Sequence, residues 1–381
     1  MLFVQPELGE AELRVLQDIA ELRVSMRTAL YEPRRWTGSL RRLSFARNVQ
    51  GSNSIEGINA SLDDAAAVVD GEAPADVVDA VRRALEGYRN AMTYVLQLCN
   101  DSGQFAYNVQ LIKSIHFMMT SYDMKNRPGL WRSGGIYVRN DELNTVVYEG
   151  PDVDEVPQLV DELVDTLNSP TEHSIIDAAM AHLNLVMIHP FRDGNGRMAR
   201  CLQSLVLGRD GVLSPVFMSV EEYLGRNTAA YYEVLEKVGT GRWNPSRDTR
   251  PWIRFMLTAH LRQARTQRQR MRDYERLWLQ LVALLGGDDE SRFLPALFDA
   301  ALGMRITRGN YLAQLAANGD EISEQSAGRD LRQLVDKGLL VPEGENRGRS
   351  YLAADPVSSR WKEIRSGRPT RDDSDPFSSA S

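Results

Sequence analysis

The sequence predicts a mainly α-helical protein with one β-hairpin in its core and a small module at its C-terminal end that carries a two-stranded wing. Over most of residues 8 to 285, apolar residues recur at spacings of three and four, as at Val78, Val81 and Leu85, which is typical of helices with one buried face. Two windows break this pattern, Gly134 to Gly150 and the segment after Gly338, where β-branched and aromatic runs flank polar turns. Such windows predict hairpins.

Bulk composition narrows the class of protein. The chain has 381 residues, 43% of them hydrophobic and 25% charged, which suits a globular protein of two or three domains. A net charge of −7 does not suit a chain that coats nucleic acid. The two cysteines, Cys99 and Cys201, lie in apolar helical patterns and predict buried thiols in a reducing, cytoplasmic setting. The apolar runs are too short to span a bilayer, so no membrane association is expected.

These patterns divide the chain into five parts. Residues 1–104 form an N-terminal helical region, 105–262 a core, 263–285 a charged connecting helix and 286–356 a C-terminal module. From residue 357 the chain is rich in Ser, Asp, Arg and Pro and has little apolar surface to bury. We therefore expect a disordered tail at 357–381.

The stretch HPFRDGNGRMAR, from His189 to Arg200, concentrates chemical groups in the core. An apolar helical pattern ends at His189 and Pro190, and a second helix begins after Gly196. The glycine-rich loop therefore lies at the N-terminus of a helix, where backbone N–H groups and the helix dipole favour an anion. A plain turn between two helices is the structural alternative.

Four side chains make this loop a candidate polyphosphate site. Arg197 and Arg200 are three residues apart and share one helix face, and paired guanidiniums suit phosphates. Asp193 would repel phosphates unless it carries a cation, so Mg²⁺ is implied. His189 at the lip could take a proton from an incoming hydroxyl. The same arginines could instead form a solvated face, and the GNGRMA match to a dinucleotide fingerprint is weak because a helix precedes it.

The stretch resembles the signature of the Fic family, His-Pro-Phe-x-Asp/Glu-Gly-Asn-Gly-x-x-x-Arg, at every fixed position. Upstream, RPGLWRSGGIYV is similar to the lead into the family's target-binding flap, and downstream, NTAAYYEVL is similar to the segment that borders the nucleotide base. The resemblance covers roughly residues 45 to 260. It implies a Fic helical fold with a β-hairpin flap, in a protein adenylyltransferase that moves AMP from ATP to a Ser, Thr or Tyr hydroxyl of a protein and releases pyrophosphate.

The resemblance also implies a role for each matching residue. His189 is the catalytic base, Asp193 holds Mg²⁺, and Phe191 anchors the loop. The implied ATP-binding residues are Gly194, Asn195, Gly196, Arg197 and Arg200 at the phosphates and Asn227, Tyr231 and Tyr232 at the base; the implied target flap is Ile136, Tyr137 and Val138. The two glycines argue against the kinase-like branch of the family, whereas transfer of phosphocholine or UMP stays open.

GSNSIEG, from Gly51 to Gly57, is a second motif. From the residues alone, Ser52 caps one helical turn, Gly57 ends it, and Glu56 is a solvated helix-end glutamate that the helix dipole disfavours slightly. The stretch also resembles the family's inhibitory motif Ser/Thr-x-x-x-Glu-Gly/Asn. That resemblance implies that Glu56 pairs with Arg200, holds the enzyme off, and can serve in the removal of AMP from a modified target.

The C-terminal module resembles a winged helix-turn-helix domain. A capped helix from Ser323 to Gly338 is followed by a wing, LLV to RGRSYLA. Residues 322–352 hold five basic and five acidic residues, Arg347 among the basic ones, so this count favours a protein-docking role over DNA binding. The alternative function is a DNA-binding regulator whose core senses nucleotide. The sequence leaves open the target and the oligomeric state, a homodimer included, and it predicts His116 as a satisfied core residue.

Overall fold

A computed structural model of the chain describes residues 1–31, 34–100, 105–140, 145–345, 349–370 and 372–378. The helices are α1 (Glu10–Tyr31), α2 (Arg35–Ile55), α3 (Leu62–Val69), α4 (Asp79–Asn100), α5 (Val109–Thr120), α6 (Val156–Asn168), α7 (Ser174–Ile188), α8 (Asn195–Arg209), α9 (Pro215–Met218), α10 (Glu221–Arg226), α11 (Thr228–Gly239), α12 (Arg250–Leu284), α13 (Leu294–Ala301), α14 (Arg308–Ala317), α15 (Glu324–Asp336) and α16 (Asp355–Ser366). The strands are β1 (Tyr137–Asn140), β2 (Thr145–Glu149), β3 (Gly241–Arg242), β4 (Leu340–Glu343) and β5 (Ser350–Ala353). The predicted mainly α-helical class is confirmed.

The helices α7 and α8 form the centre of the core. Both are buried along almost their whole length, which is typical of helices surrounded by others. Helices α6 and α12 pack on α7, and α2, α4, α5 and α9 pack on α8. The loop that joins α7 to α8 is the His189 stretch, so the core fixes both of its ends.

The predicted hairpin over residues 134–150 is present. Strand β1 pairs antiparallel with β2, with an irregularity between Val138 and Arg139, and β2 pairs in parallel with β3. Because β2 lies between the other two strands, β1 is an edge strand with one unpaired side. This edge projects from the same region of the core as the loop.

In the C-terminal module, the helices α13, α14 and α15 are followed by the antiparallel pair β4 and β5. Helix α15 begins one residue after Ser323, whose hydroxyl accepts a hydrogen bond from the Ser326 N–H at 3.2 Å. Thr307 caps α14 in the same way, and the Thr307 N–H donates a reciprocal hydrogen bond to the Asn310 side-chain oxygen. These caps satisfy helix N–H groups that would otherwise lack partners. Arg347 of the wing lies outside the described residues.

The structure differs from two expectations about the chain's C-terminal third. The predicted boundary at residues 262 and 263 falls inside α12, one continuous helix of 35 residues, because its apolar face stays buried on both sides of that point. The expected disordered tail instead begins with α16, whose Val357 and Ile364 are buried and whose Trp361 packs edge-on against Tyr274 of α12. Sparse apolar residues at helical spacing are sufficient to dock this helix.

In the described part of the chain, no helix combines the length and apolar character needed to cross a membrane.

Candidate active site

His189 ends α7 in a backbone conformation that side chains rarely adopt. Its φ of 52° and ψ of 55° lie in the left-handed region, which usually holds glycine or asparagine at a helix C-terminus. The imidazole Nδ1 lies 3.1 Å from the Val186 carbonyl oxygen. Since a carbonyl can only accept, Nδ1 carries the proton and Nε2 is left as a base. Burial lowers the pKa of His189, so the ring is neutral near pH 7.

The loop after His189 is closed by its own side chains. Phe191 is fully buried, and the Asn195 side-chain amide bonds the Phe191 N–H at 2.9 Å and the Phe191 carbonyl at 2.8 Å. Gly194 has a φ of +78°, and a Cβ there would lie 2.9 Å from the Thr120 methyl carbon. No described side chain caps α8, so its first N–H groups remain available to an anion. The Asn195 side chain supports the loop, and only its backbone can face a ligand.

His116 supports the same loop from α5. Its ring stacks on Phe191 with centroids 3.6 Å apart. Nδ1 accepts a hydrogen bond from the Gly129 N–H at 2.9 Å, so Nε2 carries the proton and donates to the Asp193 carbonyl at 2.9 Å. Burial lowers the pKa of His116 to about 4, which keeps this tautomer neutral. The prediction of a satisfied core histidine is confirmed, but it missed the contact with the loop, which a histidine in an apolar helix does not reveal.

Arg132 supports the other end of the loop and was also missed. Its Nε donates to the His189 carbonyl at 3.0 Å, and its Nη1 donates to the Gly134 carbonyl at 2.7 Å. Its backbone N–H donates to the Pro190 carbonyl at 2.9 Å. One buried guanidinium therefore ties the loop to the base of the hairpin. The available signal was the arginine of PGLWR, within the stretch that resembles the flap lead.

Arg197 and Arg200 are both buried on the first turns of α8. Arg197 donates to the Tyr122 hydroxyl at 3.0 Å and lies 3.5 Å from the Asp193 carboxylate. Arg200 donates to the Ser52 hydroxyl at 2.8 Å and to the Ser52 carbonyl at 2.9 Å. Arg197 Nε and Arg200 Nη1 make no hydrogen bond within the described part of the chain. Buried donors without partners are uncommon, and both lie where an anionic ligand could accept from them.

Glu56 lies on this anion site. The Arg200 Nη2 is 2.7 Å from Glu56 Oε1, and a Cβ built on Gly196 would lie only 2.3 Å from the same oxygen. The carboxylate therefore rests directly against the first turn of α8. Burial raises the pKa of Glu56, but the Arg200 charge and hydrogen bond outweigh it and hold this pKa below its usual value, so the pair is ionised near pH 7.

The segment that carries Glu56 differs from the isolated helical turn expected from the residues alone. Ser52 does not cap a helix; it is buried near the end of α2, a helix of 21 residues, where it binds Arg200. Glu56 is the C-cap residue, and Gly57 follows with a φ of +74°. Apolar and small residues along α2 continue the helical pattern upstream, which is why the helix is long.

A close helix crossing fixes the end of α2. A Cβ on Gly51 would lie 2.5 Å from the Glu221 carbonyl, and a Cβ on Gly225 would lie 2.8 Å from the Gly51 carbonyl. Both distances are shorter than side chains tolerate, so α10 and α2 can approach this closely only because both positions are glycine. The crossing sets where Glu56 projects.

Asp193 suits a metal that is shared with phosphates. Its carboxylate is 48% exposed and is bonded at 3.3 Å by the Asn126 amide. The described residues contain no cluster of three or more side chains that could hold a metal ion by themselves. Mg²⁺ commonly binds through one or two carboxylates together with substrate phosphates. One exposed carboxylate beside an uncapped helix N-terminus fits this arrangement.

The predicted base pocket is only partly open. Tyr231 is 1% exposed, and its hydroxyl lies 2.8 Å from His182 Nε2, so this side chain belongs to the core and does not line an open pocket. Asn227 donates to the Tyr223 carbonyl at 2.8 Å. Tyr232 is 46% exposed and donates to the Ile55 carbonyl at 3.1 Å, one residue before Glu56. Tyr232 is the most exposed of the three and Asn227 is half-buried, so these two could contact a ligand.

The predicted flap residues lie on the exposed edge of the hairpin. Tyr137 is 54% exposed, Ile136 is half-buried, and the Ile136 carbonyl accepts from the Gly150 N–H at 3.2 Å. Val138 lies in β1 opposite Tyr148, and its side chain is outside the described set. The strand can therefore accept an added strand along its free side.

Comparisons with known proteins match the part of the chain that contains this loop. The sequence profile of the Fic/DOC family matches residues 106–207. Protein adenylyltransferase fic-1 of Caenorhabditis briggsae is 38% identical over 119 residues, which is 29% of this chain and 21% of that protein. Protein adenylyltransferase Fic of Nematostella vectensis is 27% identical over 225 residues, 56% of this chain and 46% of that protein. The chain thus spans between about a fifth and a half of the length of these relatives.

Solved structures show the same fold. A Fic family protein from Desulfovibrio desulfuricans superposes with a TM-score of 0.58 at 21% identity, over 97% of this chain and 100% of that chain. Fic-1 from Caenorhabditis elegans superposes with a TM-score of 0.52 at 22% identity, over 68% of this chain and 73% of that chain. The region that matches the Fic/DOC family model, residues 106–207, contains the loop from His189 to Arg200.

Proposed function

We propose that the protein is a self-inhibited protein adenylyltransferase, which moves AMP from ATP to a hydroxyl side chain of a protein, including its own chain. The observation that carries this proposal is the Glu56 carboxylate, 2.7 Å from Arg200 and packed against the first turn of α8. A base, a helix N-terminus and two arginines without full partners surround it.

The proposed reaction uses this chain's groups in a fixed order. The triphosphate lies at the N-terminus of α8, where Arg197 and Arg200 bind its outer phosphates. His189 Nε2 takes the proton of the target hydroxyl as its oxygen bonds to the α-phosphorus. The bond from that phosphorus to the oxygen that bridges it to the β-phosphate breaks, and pyrophosphate leaves. Bound Mg²⁺, held by Asp193, would neutralise charge on the phosphates. The edge of β1 positions the target segment beside His189.

Glu56 would oppose this reaction in two ways. It occupies an Arg200 donor that the outer phosphate needs, and its negative charge repels that phosphate. Two unit charges about 4 Å apart interact by roughly 4 kcal/mol at an effective dielectric constant of about 20. The carboxylate is about one third exposed, so solvent reduces this value. Even a third of it would lower the fraction of correctly placed ATP by about tenfold.

The test replaces Glu56 by Gly. This removes the carboxylate at a helix end where glycine is tolerated, and we expect AMP incorporation to rise by at least about tenfold. Intact-protein mass spectrometry with ATP and Mg²⁺ measures the gain of one AMP per site. Glu172→Gly, at an exposed glutamate outside the site, is the matched control.

Two further variants distinguish the removal of inhibition from the loss of a group that the reaction needs. The double variant Glu56→Gly with His189→Ala should lose transfer by about 10²–10⁴-fold relative to Glu56→Gly, because the base is missing. Arg200→Ala should stay inactive, because it removes the arginine that binds the phosphate together with the ion pair to Glu56. If Glu56→Gly gains no more AMP than wild type, the proposed inhibition fails. UTP and CDP-choline, offered in place of ATP, test the two transfer chemistries that the loop leaves open.

A further inference from the structure

A groove of about 890 Å³ opens on the C-terminal module. Its walls come from the start of α14, one face of α15, strand β5 and residues 72 and 73 of the N-terminal region. Within the described part of the chain, the charged residues that line it are Arg308, Arg332, Arg349 and Glu72. Three guanidiniums, from α14, from α15 and from the residue before β5, therefore converge on one surface.

The even charge balance counted from the sequence does not describe this surface. Asp330, one of the five acidic residues in that count, is 2% exposed and is held by Arg292 through two hydrogen bonds of 2.6 and 2.7 Å. Arg292 lies outside the segment that was counted, so it neutralises Asp330 within the module. Arg329, Arg332 and Arg349 remain exposed. Glu324, 3.2 Å from Arg308, offsets one charge at the rim.

Glu72 enters this groove from the segment that follows α3. Its Oε2 accepts a hydrogen bond from the Thr307 hydroxyl at 3.0 Å, and a Cβ on Gly309 would lie 1.9 Å from its Oε1. The carboxylate is thus packed against the first turn of α14, among the arginines. A negatively charged group of the same chain already occupies part of the surface where an external anion would bind.

We propose that this groove binds the phosphate backbone of duplex DNA and that Glu72 competes with the DNA for it. Helix α15 contributes the exposed Arg332 to the groove, and a helix of about 10–12 Å diameter fits a major groove about 12 Å wide. Arg308 on α14 and Arg349, which immediately precedes β5, line the same groove, where backbone phosphates would pass. An acidic peptide is the weaker candidate, because the large apolar residues of the groove, Leu331 and Tyr351, are buried, and peptide interfaces depend on open apolar anchors.

The number of arginines fixes the expected salt dependence. Three phosphate contacts give a slope of about −2.7 in a plot of log affinity against log salt, which is a loss of roughly 40-fold between about 50 and 200 mM. Replacing Arg332 or Arg349 by Ala removes one contact, so each should weaken binding by about tenfold and flatten the slope by about one. Glu72→Gln removes the competing charge and keeps an oxygen for Thr307, and should tighten binding by about two- to fivefold.

Fluorescence anisotropy with a labelled duplex of mixed sequence measures these changes on the full chain. Arg83→Ala and Glu172→Gln change the charge by the same amount outside the groove and should leave affinity unchanged, and thermal unfolding confirms that each variant is folded. Duplex binding that is equal in wild type, Arg332→Ala and Arg349→Ala would overturn the site. If Glu72→Gln binds the duplex no more tightly than Glu172→Gln does, the proposed competition between Glu72 and DNA is overturned. A labelled poly-glutamate peptide that binds through the same arginines while the duplex does not would assign the groove to a protein partner instead.

Discussion

Replacing His116 by Phe should disable the candidate active loop while the fold persists. The phenylalanine ring retains the stack on Phe191, where the two rings are parallel and 3.6 Å apart. It removes the two hydrogen bonds of the imidazole, one from the Gly129 N–H and one to the Asp193 carbonyl, each 2.9 Å long. The change therefore tests the polar role of His116 apart from its packing.

The magnitude follows from those two bonds. A buried polar group that loses its partner costs about 1–3 kcal/mol, so two such groups cost roughly 2–6 kcal/mol if nothing relaxes. The ends of the loop are fixed by α7 and α8, whereas Asp193 is exposed, so relaxation should occur as a shift of the Asp193 segment toward water. If about 2 kcal/mol acts on the loop alone, its competent conformation falls by roughly 30-fold in population. We expect AMP transfer to fall by about 10- to 100-fold, with a higher Mg²⁺ requirement because Asp193 is displaced.

The assay is AMP incorporation in the Glu56→Gly background, measured at several Mg²⁺ concentrations. His260→Phe is the matched control, because His260 is equally a buried histidine and bonds Gln203 at 3.1 Å but does not touch the loop. It should lower the melting temperature without changing transfer per folded molecule or the Mg²⁺ dependence. If His116→Phe matches His260→Phe in both properties, His116 only fills the core and the argument fails.

Three further predictions test other parts of the site. His189→Gly should be more stable than His189→Ala by about 1 kcal/mol in urea unfolding, since glycine suits the left-handed φ of 52° at this helix end, while both variants lack transfer. Tyr137→Pro should reduce target modification more than ATP binding, measured by calorimetry, because proline blocks strand addition at the β1 edge; equal losses would indicate misfolding. Burial raises the pKa of Glu221 to about 7, which is above its value in the unfolded chain. The folded protein therefore favours the protonated carboxyl, and the stability that this form contributes is lost as pH rises through 7. The free energy of unfolding of Glu221→Gln, relative to that of wild type, should therefore rise by about 3 kcal/mol between about pH 5 and 8. A difference between the two proteins that does not change with pH would refute this.

Local sequence was sufficient for the features that depend on neighbouring residues. The helix, loop and helix around His189 followed from an apolar period, a proline and two glycines, and the structure confirms them. The hairpin and the cap at Ser323 were predicted on the same basis. In each of these cases the physical cause and its effect lie within a few residues of one another, so the pattern alone carries the information.

Contacts between distant segments could not be predicted in that way. Glu56 and Arg200 are 144 residues apart, and only the family resemblance suggested their pairing. His116 and Arg132 were missed because each binds backbone carbonyls of a loop elsewhere in the chain, and a carbonyl leaves no sequence signal. The tail helix α16 was missed because its apolar residues are few, and their burial depends on a partner surface of α12.

The position of Glu56 depends on contacts along the whole of α2 as well as on its ion pair with Arg200. Near the start of the helix, Arg42 bonds Asp70 at 2.8 Å and also bonds the buried Asp299 of α13, so the C-terminal module holds that end. Near the other end, the glycine crossing keeps α2 in close contact with α10. Displacement of Glu56 by a shift of α2 would therefore break a buried ion pair, which costs about 3–5 kcal/mol when one partner is lost, together with the close helix contact. Rotation of the Glu56 side chain breaks one ion pair at a helix end that is about one third exposed. Side-chain rotation is thus the lower-cost route by which an incoming triphosphate could displace the carboxylate, and it leaves Ser52 in place to hold Arg200 for the phosphate.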